Sequence, residues 1–149
     1  MNCASSDLYV ISTRDFSTTL LQTSGEVPTP RWAHRTALIG TTLLICGGKT
    51  GSGESAIVPS HDSLYLLNLG TSDPLMSSPT PADHGFALLE SREWSRVVVN
   101  NPGPGSRCFH TTTVVGSKLF VFGGRIGGKK TNDMWTLDLN CRTFAYYCS

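Results

Sequence analysis

The 149-residue chain repeats itself. Pro30–Gly48 lies without a gap on Ser106–Gly124, so that Arg31/Arg107, His34/His110, Thr36/Thr112, Gly40/Gly116, Leu43/Leu119 and the pairs Gly47-Gly48/Gly123-Gly124 coincide at an offset of 76. Further along, Asp62–Leu69 matches Asn132–Leu139 at an offset of 70, which leaves six extra residues in the first copy between Lys49 and His61. A third copy is cut short at the start: Asp7–Ile11 reads like Asp133–Leu137, and Arg14-Asp15-Phe16-Ser17 reads like Arg92-Glu93-Trp94-Ser95. A unit repeated at this period cannot bury its own apolar face, so successive copies must stack.

Each copy holds short runs of β-branched and aromatic residues bounded by Gly, Pro, Asn and Ser, which read as strands. His34–Ile39 and His110–Val115 form one type, and Leu43–Cys46 and Leu119–Phe122 the next. Leu64–Leu69, Met134–Leu139 and Leu8–Ile11 form the third; Trp94–Val99 and Phe16–Leu21 form the fourth. With 15 Gly, 8 Pro and only 15% charged residues, helices are disfavoured. Four antiparallel strands per repeat make the fold class all-β, a partial propeller of four-stranded blades.

The balance of 12 basic against 11 acidic residues gives no strong field toward nucleic acid or an anionic membrane. No apolar run approaches the length of a membrane-spanning helix. Residues 1–7 lack the basic and apolar regions of a secretory signal. Cys3, Cys46, Cys108, Cys141 and Cys148 are odd in number and form no Cys-x-x-Cys pair, against a disulfide framework or zinc site. A cytoplasmic location is expected.

Four apolar residues followed by Gly-Gly, then a Tyr or Trp in an Asp-x-(Tyr/Trp) strand, then a further Trp, resemble the kelch repeat. Within that family, Leu8–Ile11, Ser24–Arg31, Leu64–Leu69 and Val115–Gly124 most resemble fungal kelch proteins of the cell-end-marker (tip elongation aberrant) type. The resemblance implies a protein-binding propeller from a cytoplasmic polarity scaffold.

The expected division is 1–29 as the last two strands of a partial blade and 30–101 as a blade with an insert at 72–91. Residues 102–140 are then a blade lacking its final strand, and 141–149 a divergent tail, with an improvised edge strand from Phe144, Tyr146 and Tyr147 as the alternative. Because a closed ring needs at least about four blades, the chain reads as an arc, a truncated copy or a fragment. Gly47, Gly48, Gly123 and Gly124 are expected where a strand ends in a tight turn. Tyr65, Trp94 and Trp135, with Tyr9 and Phe16, are expected to fill the space between blades. Arg31 and Arg107 are assigned to carbonyls or carboxylates of the adjoining blade. His34 and His110, at one height in different blades, suit a structural role better than a metal or a general base.

No catalytic, cofactor-binding or metal-binding residue is assigned. Gly48-Lys49-Thr50 lacks the earlier Gly of a phosphate loop, and His61 and His84 lack clustered Cys or acidic companions. The copper radical oxidases of the galactose oxidase group are the less favoured enzyme alternative: those enzymes are typically secreted, and Tyr146-Tyr147-Cys148 has no context matching their cross-linked Tyr-Cys site. The leading expectation is a non-catalytic protein-interaction module with an unidentified protein partner. Its contacts are expected in the loops Gly51–His61, Ser72–Ser91 and Arg125–Lys130. Self-association through open blade edges is the second expectation.

Overall fold

A computed structural model describes residues 4–51, 64–70 and 92–147. The expected loop over 52–61 and the insert over 72–91, with His61 and His84, lie outside the described residues, as do Cys3 and Cys148. Among the described residues the fold is all-β, arranged in three sheets.

The first sheet is the hairpin of β1 (Leu8–Ile11) and β2 (Thr18–Leu21). The second has the order β3 (Ser24–Gly25), β7 (Glu93–Arg96), β6 (Leu64–Asn68), β5 (Thr42–Cys46), β4 (Arg35–Ile39). The third has the order β11 (Thr143–Tyr147), β10 (Lys129–Asp138), β9 (Lys118–Ile126), β8 (Thr111–Val115). Every pairing is antiparallel except that of β3 with β7. These are two full blades and part of a third, consecutive along an arc that the described residues do not close.

Strand alternation decides where the core sits, because successive side chains leave opposite faces of a sheet. Leu44, Cys46 and Leu64 of the second sheet face Leu119, Val121 and Leu137 of the third, and this layer is the main core. From the other face of the second sheet, Ile45, Tyr65, Leu67 and Trp94 bury against Leu8 of the first. Among the described residues nothing gives the outer face of the third sheet such cover, and Phe122 and Tyr147 are exposed on it.

Three expectations are corrected. The third sheet does not lack its final strand: Thr143–Tyr147, inside the expected tail, pairs with β10 throughout. Its aromatic alternation supplies the apolar face of an edge strand. Phe144 stands opposite Leu137 as Trp94 stands opposite Leu67, so Phe144 holds the position of the missing Trp. Phe16 does not: Ile11, the counterpart of Leu137, pairs with Thr18, and Phe16 sits in the turn, 79% exposed. Its φ of 57° matches that of Arg142 at 56°, the turn residue before β11. Gly123-Gly124 does not end a strand either, since β9 runs through both to Ile126 and a bulge between Thr131 and Met134 absorbs the irregularity.

The connectors between blades are hydrogen-bonded forward. Glu26 donates its backbone N–H to the Trp94 carbonyl, and Ser24 to that of Arg92. One repeat later, Asn100 donates its backbone N–H to the Arg142 carbonyl. Asn101 then grips Phe144 twice: its Nδ2 donates to the Phe144 carbonyl and its Oδ1 accepts from the Phe144 N–H, both at 2.7 Å. The chain leaving one blade therefore lies along the outermost strand of the next. Gly103 beside it is bare because an added Cβ would meet the Phe144 ring at 2.5 Å.

Candidate interaction surface at the blade seam

Arg107 is 1% exposed and held on all sides. Its Nε and one terminal nitrogen donate to the Pro104 carbonyl, and the other donates to the Gly123 carbonyl at 2.8 Å. The fork also donates to both Asp133 carboxylate oxygens, at 2.8 and 2.9 Å. That pairing holds the Asp133 carboxyl well below the usual carboxylate range, aided by the Trp135 indole donating to it at 2.7 Å. Arg31 repeats the arrangement on Thr29 and the Gly47 carbonyl, with its guanidinium 5.2 Å from the centre of the Tyr65 ring. These partners correct the expectation of adjoining-blade ligands: both guanidiniums tie connector to strand end within one blade. The reason is reach, since each arginine lies on the connector directly beneath its own glycine pair.

The seam between blades is made by backbone instead. Gly48 donates its N–H to the Arg107 carbonyl at 2.9 Å, and Phe109 donates its own to the Ala33 carbonyl at 3.2 Å. Arg35 Nε donates to the His110 carbonyl at 2.7 Å. Gly47, at φ 65°, admits this approach: a Cβ there would run into the Arg107 carbonyl and stand 2.8 Å from His110 Cε1. Gly124, like its counterpart Gly48 beside His34, instead admits the backbone of its own blade, since a Cβ there would stand 2.8 Å from the Cys108 carbonyl oxygen and 2.9 Å from His110 Cβ.

His110 is fully buried, and neither ring nitrogen has a hydrogen-bond partner among the described residues. Burial, reinforced by the charges of Arg107, Arg35 and His34, pushes its pKa down to about 4, so the ring is neutral at pH 7. His34 shifts in the same direction, chiefly through burial. The two histidines lie along the seam, and no group of three or more metal-ligating side chains occurs among the described residues. Burial raises the Cys46 thiol to about 12, an unreactive thiol inside the core.

Tyr65 and Trp94 lie buried on the face toward the first sheet, and Trp135 is half-buried between Phe144, 6.3 Å away, and Tyr146, 4.9 Å away. Tyr9, expected between blades, is 54% exposed because β1 turns that side away from the second sheet. Tyr146 and Tyr147 belong to the edge strand farthest from β8.

One pair went unread in the sequence. Ala33 and Phe109, again 76 residues apart, both adopt positive φ, 56° and 57°. For residues with a side chain that conformation is strained. It turns Phe109 outward, 48% exposed, with its ring edge-on to Trp32 at 5.7 Å. Lys49 Nζ sits 5.4 Å over the Trp32 ring, which absorbs the residue suggesting a phosphate loop into an aromatic contact. The expected loop Arg125–Lys130 is a hairpin tip, paired on both sides and turning at Gly127-Gly128. Rigid backbone thus presents aromatic and basic side chains where the strands end.

The KLHDC2/KLHL20/DRC7 Kelch-repeats domain family matches residues 1–147. The chain is 31% identical over 144 residues to the serine/threonine-protein phosphatase BSL2 of Arabidopsis thaliana, covering 96% of this chain and 12% of that protein. It is also 31% identical over 134 residues to tip elongation aberrant protein 1 of Schizosaccharomyces pombe, covering 90% of this chain and 10% of that one. Human host cell factor 2 is 27% identical over 146 residues, covering 89% and 17% respectively. The chain therefore spans less than a fifth of each of these relatives.

Proposed function

Since the chain belongs to the kelch-repeat family, we propose that it is a non-catalytic protein-interaction module. The observation that carries this reading is the seam. Backbone hydrogen bonds between Gly48 and Arg107 and between Phe109 and Ala33 fix neighbouring strand ends against each other, which is how a rigid scaffold presents a binding surface. The likeness to tip elongation aberrant protein 1 supports a place in a cytoplasmic polarity or signalling scaffold. Crosslinking mass spectrometry on cells expressing the tagged chain tests this. Crosslinks from a partner protein to Lys49, Lys129 or Lys130 are expected, and their absence from partners recovered with the chain would count against it.

A second reading rests on the open faces. Phe122 at 50% and Met134 at 37% exposure stand opposite each other on the outer face of the third sheet, and Ile11 at 61% is open on the first. On this reading the 149-residue chain self-associates through them.

A further inference from the structure

We propose that the strand-end surface built from Trp32, Lys49, Phe109, Arg125, Lys129 and Lys130 docks an acidic peptide segment carrying an apolar side chain. The proposal rests on reading the chain as an interaction module and specifies the chemistry of its partner.

The cations are placed by the repeat. Lys49 and Arg125 are 76 residues apart, and each pairs through an isolated antiparallel bridge with the residue at the start of its blade, Trp32 in one case and Cys108 in the other. Successive blades therefore put a cation at the same height. Lys130 stands directly opposite Arg125 in the β9–β10 hairpin, and Lys129 is its neighbour at the tip. Arg125, Lys129 and Lys130 are exposed. Of the two carboxylates in that hairpin, Asp133 is taken by Arg107 and Asp138 lies at the far end of β10. Among the described residues no carboxylate pairs with these cations. The Arg125 guanidinium instead donates to the Gly128 carbonyl, at 3.1 Å, an intra-hairpin bond that fixes it without neutralising it.

The aromatic element stands between the two cation positions. Phe109 is held outward by a strained φ of 57° and is nearly half exposed, while its ring edge rests on Trp32. The same backbone turn at the repeat-equivalent Ala33 shows that the conformation belongs to the repeat, and at Phe109 it places an aromatic ring at the surface. An apolar contact of two rings set edge to face, flanked by unneutralised cations, is complementary to an extended acidic segment with one apolar residue among its carboxylates.

A peptide is favoured over nucleic acid, the other polyanion, by the charge distribution. The whole chain carries a formal net charge of only +1, which gives little of the long-range field that backbone phosphate binding requires. The cations are instead local to the aromatic contact.

Panning a random peptide display library against the full 149-residue chain, with the variant Lys129→Glu/Lys130→Glu as counter-selection, tests the proposal. Those two positions are at an exposed hairpin tip, so the variant retains the fold, which a thermal melt verifies. The expected result is enrichment of peptides with several Asp or Glu residues around an aromatic or large aliphatic one. Their affinity should fall at least tenfold in the charge-reversed variant and at least fivefold on raising salt from 50 to 300 mM, as about 3 neutralised charges require. Phe109→Asn, which tolerates the same φ, should weaken the same peptides while leaving the salt dependence intact. Enrichment of neutral or basic peptides would overturn the proposal while leaving the interaction-module reading in place. No enrichment at all would count against both. Binding of a single-stranded oligonucleotide of equal charge as tightly as the best peptide would also overturn it.

Discussion

The backbone carbonyl of Arg107 accepts the amide of Gly48 from the neighbouring blade at 2.9 Å, while the same residue's guanidinium is spent within its own blade on Gly123 and Asp133. One residue thus braces a blade internally with its side chain and joins it to the next with its backbone.

Gly47→Ala should therefore be far more damaging than the same change at a hairpin glycine. At Gly47 the new Cβ meets the Arg107 carbonyl and His110, whereas at Gly116, φ 58°, nothing lies within 4 Å. The expected losses are about 3 kcal/mol for Gly47→Ala, from overpacking plus strain, and about 1 kcal/mol for Gly116→Ala, from strain alone. Urea denaturation followed by tryptophan fluorescence measures both; equal losses would show that the seam accommodates the extra carbon.

Arg107→Lys keeps the charge and loses the fork. A lysine cannot serve Pro104, Gly123 and both oxygens of Asp133 together. Disruption of this buried pair should cost about 3 kcal/mol. If chemical denaturation gives less than a third of that, the network is adequately replaced by an ammonium.

Acid should weaken the fold in two windows. His110 has a folded pKa of about 4 against an ordinary 6.5, so below pH 6.5 the unfolded chain binds a proton that the folded chain refuses. Stability is fully present above pH 6.5 and falls as pH drops toward 4, by an amount on the order of 3 kcal/mol. Asp133, whose folded pKa is depressed, adds a further loss as pH falls below its ordinary 3.8. Melting temperature from pH 8 down to 2 should show both slopes, and His110→Leu should reduce the one above pH 4, leaving the part that the buried His34 contributes.

Phe144→Ala should cost about 2 to 3 kcal/mol and Phe16→Ala about 0.5 kcal/mol or less, because one ring packs on Trp135 and the other is exposed in a turn. Thermal melts of the two variants decide whether strand register or local resemblance identifies the packing aromatic.

Polar replacement of the open face tests self-association. Phe122→Ser with Met134→Lys should shift the chain toward monomer in light scattering, without loss of melting temperature, since both side chains are already exposed. A wild-type chain that is monomeric at high concentration would overturn the second reading.

The arc of antiparallel sheets was legible because repetition and period-two alternation are written in the chain itself. The side on which each ring falls was less so. Arg14-Asp15-Phe16-Ser17 resembles Arg92-Glu93-Trp94-Ser95 by composition, yet the hairpin after Ile11 is set by the Phe16 amide donating to the Ser12 carbonyl, which moves the strand to Thr18. Arg142-Thr143-Phe144-Ala145 carries the truer match to the Trp94 segment, hidden by exchange of Trp for Phe. The surface at Phe109 was illegible for a different reason. Its positive φ recurs at the repeat-equivalent Ala33, and no local preference of either residue announces it.

The forward pairing of connectors changes what counts as a transplantable piece of this chain. A graft cut at the sequence repeat, before residue 30 or 102, would leave behind the amides of Ser24 and Glu26 or the side chain of Asn101, and so strip the recipient's outermost strand of its partner. The pieces that carry their own edges begin at Ser24 and at Asn100, and chimeras joined there should inherit a finished blade rather than an exposed one.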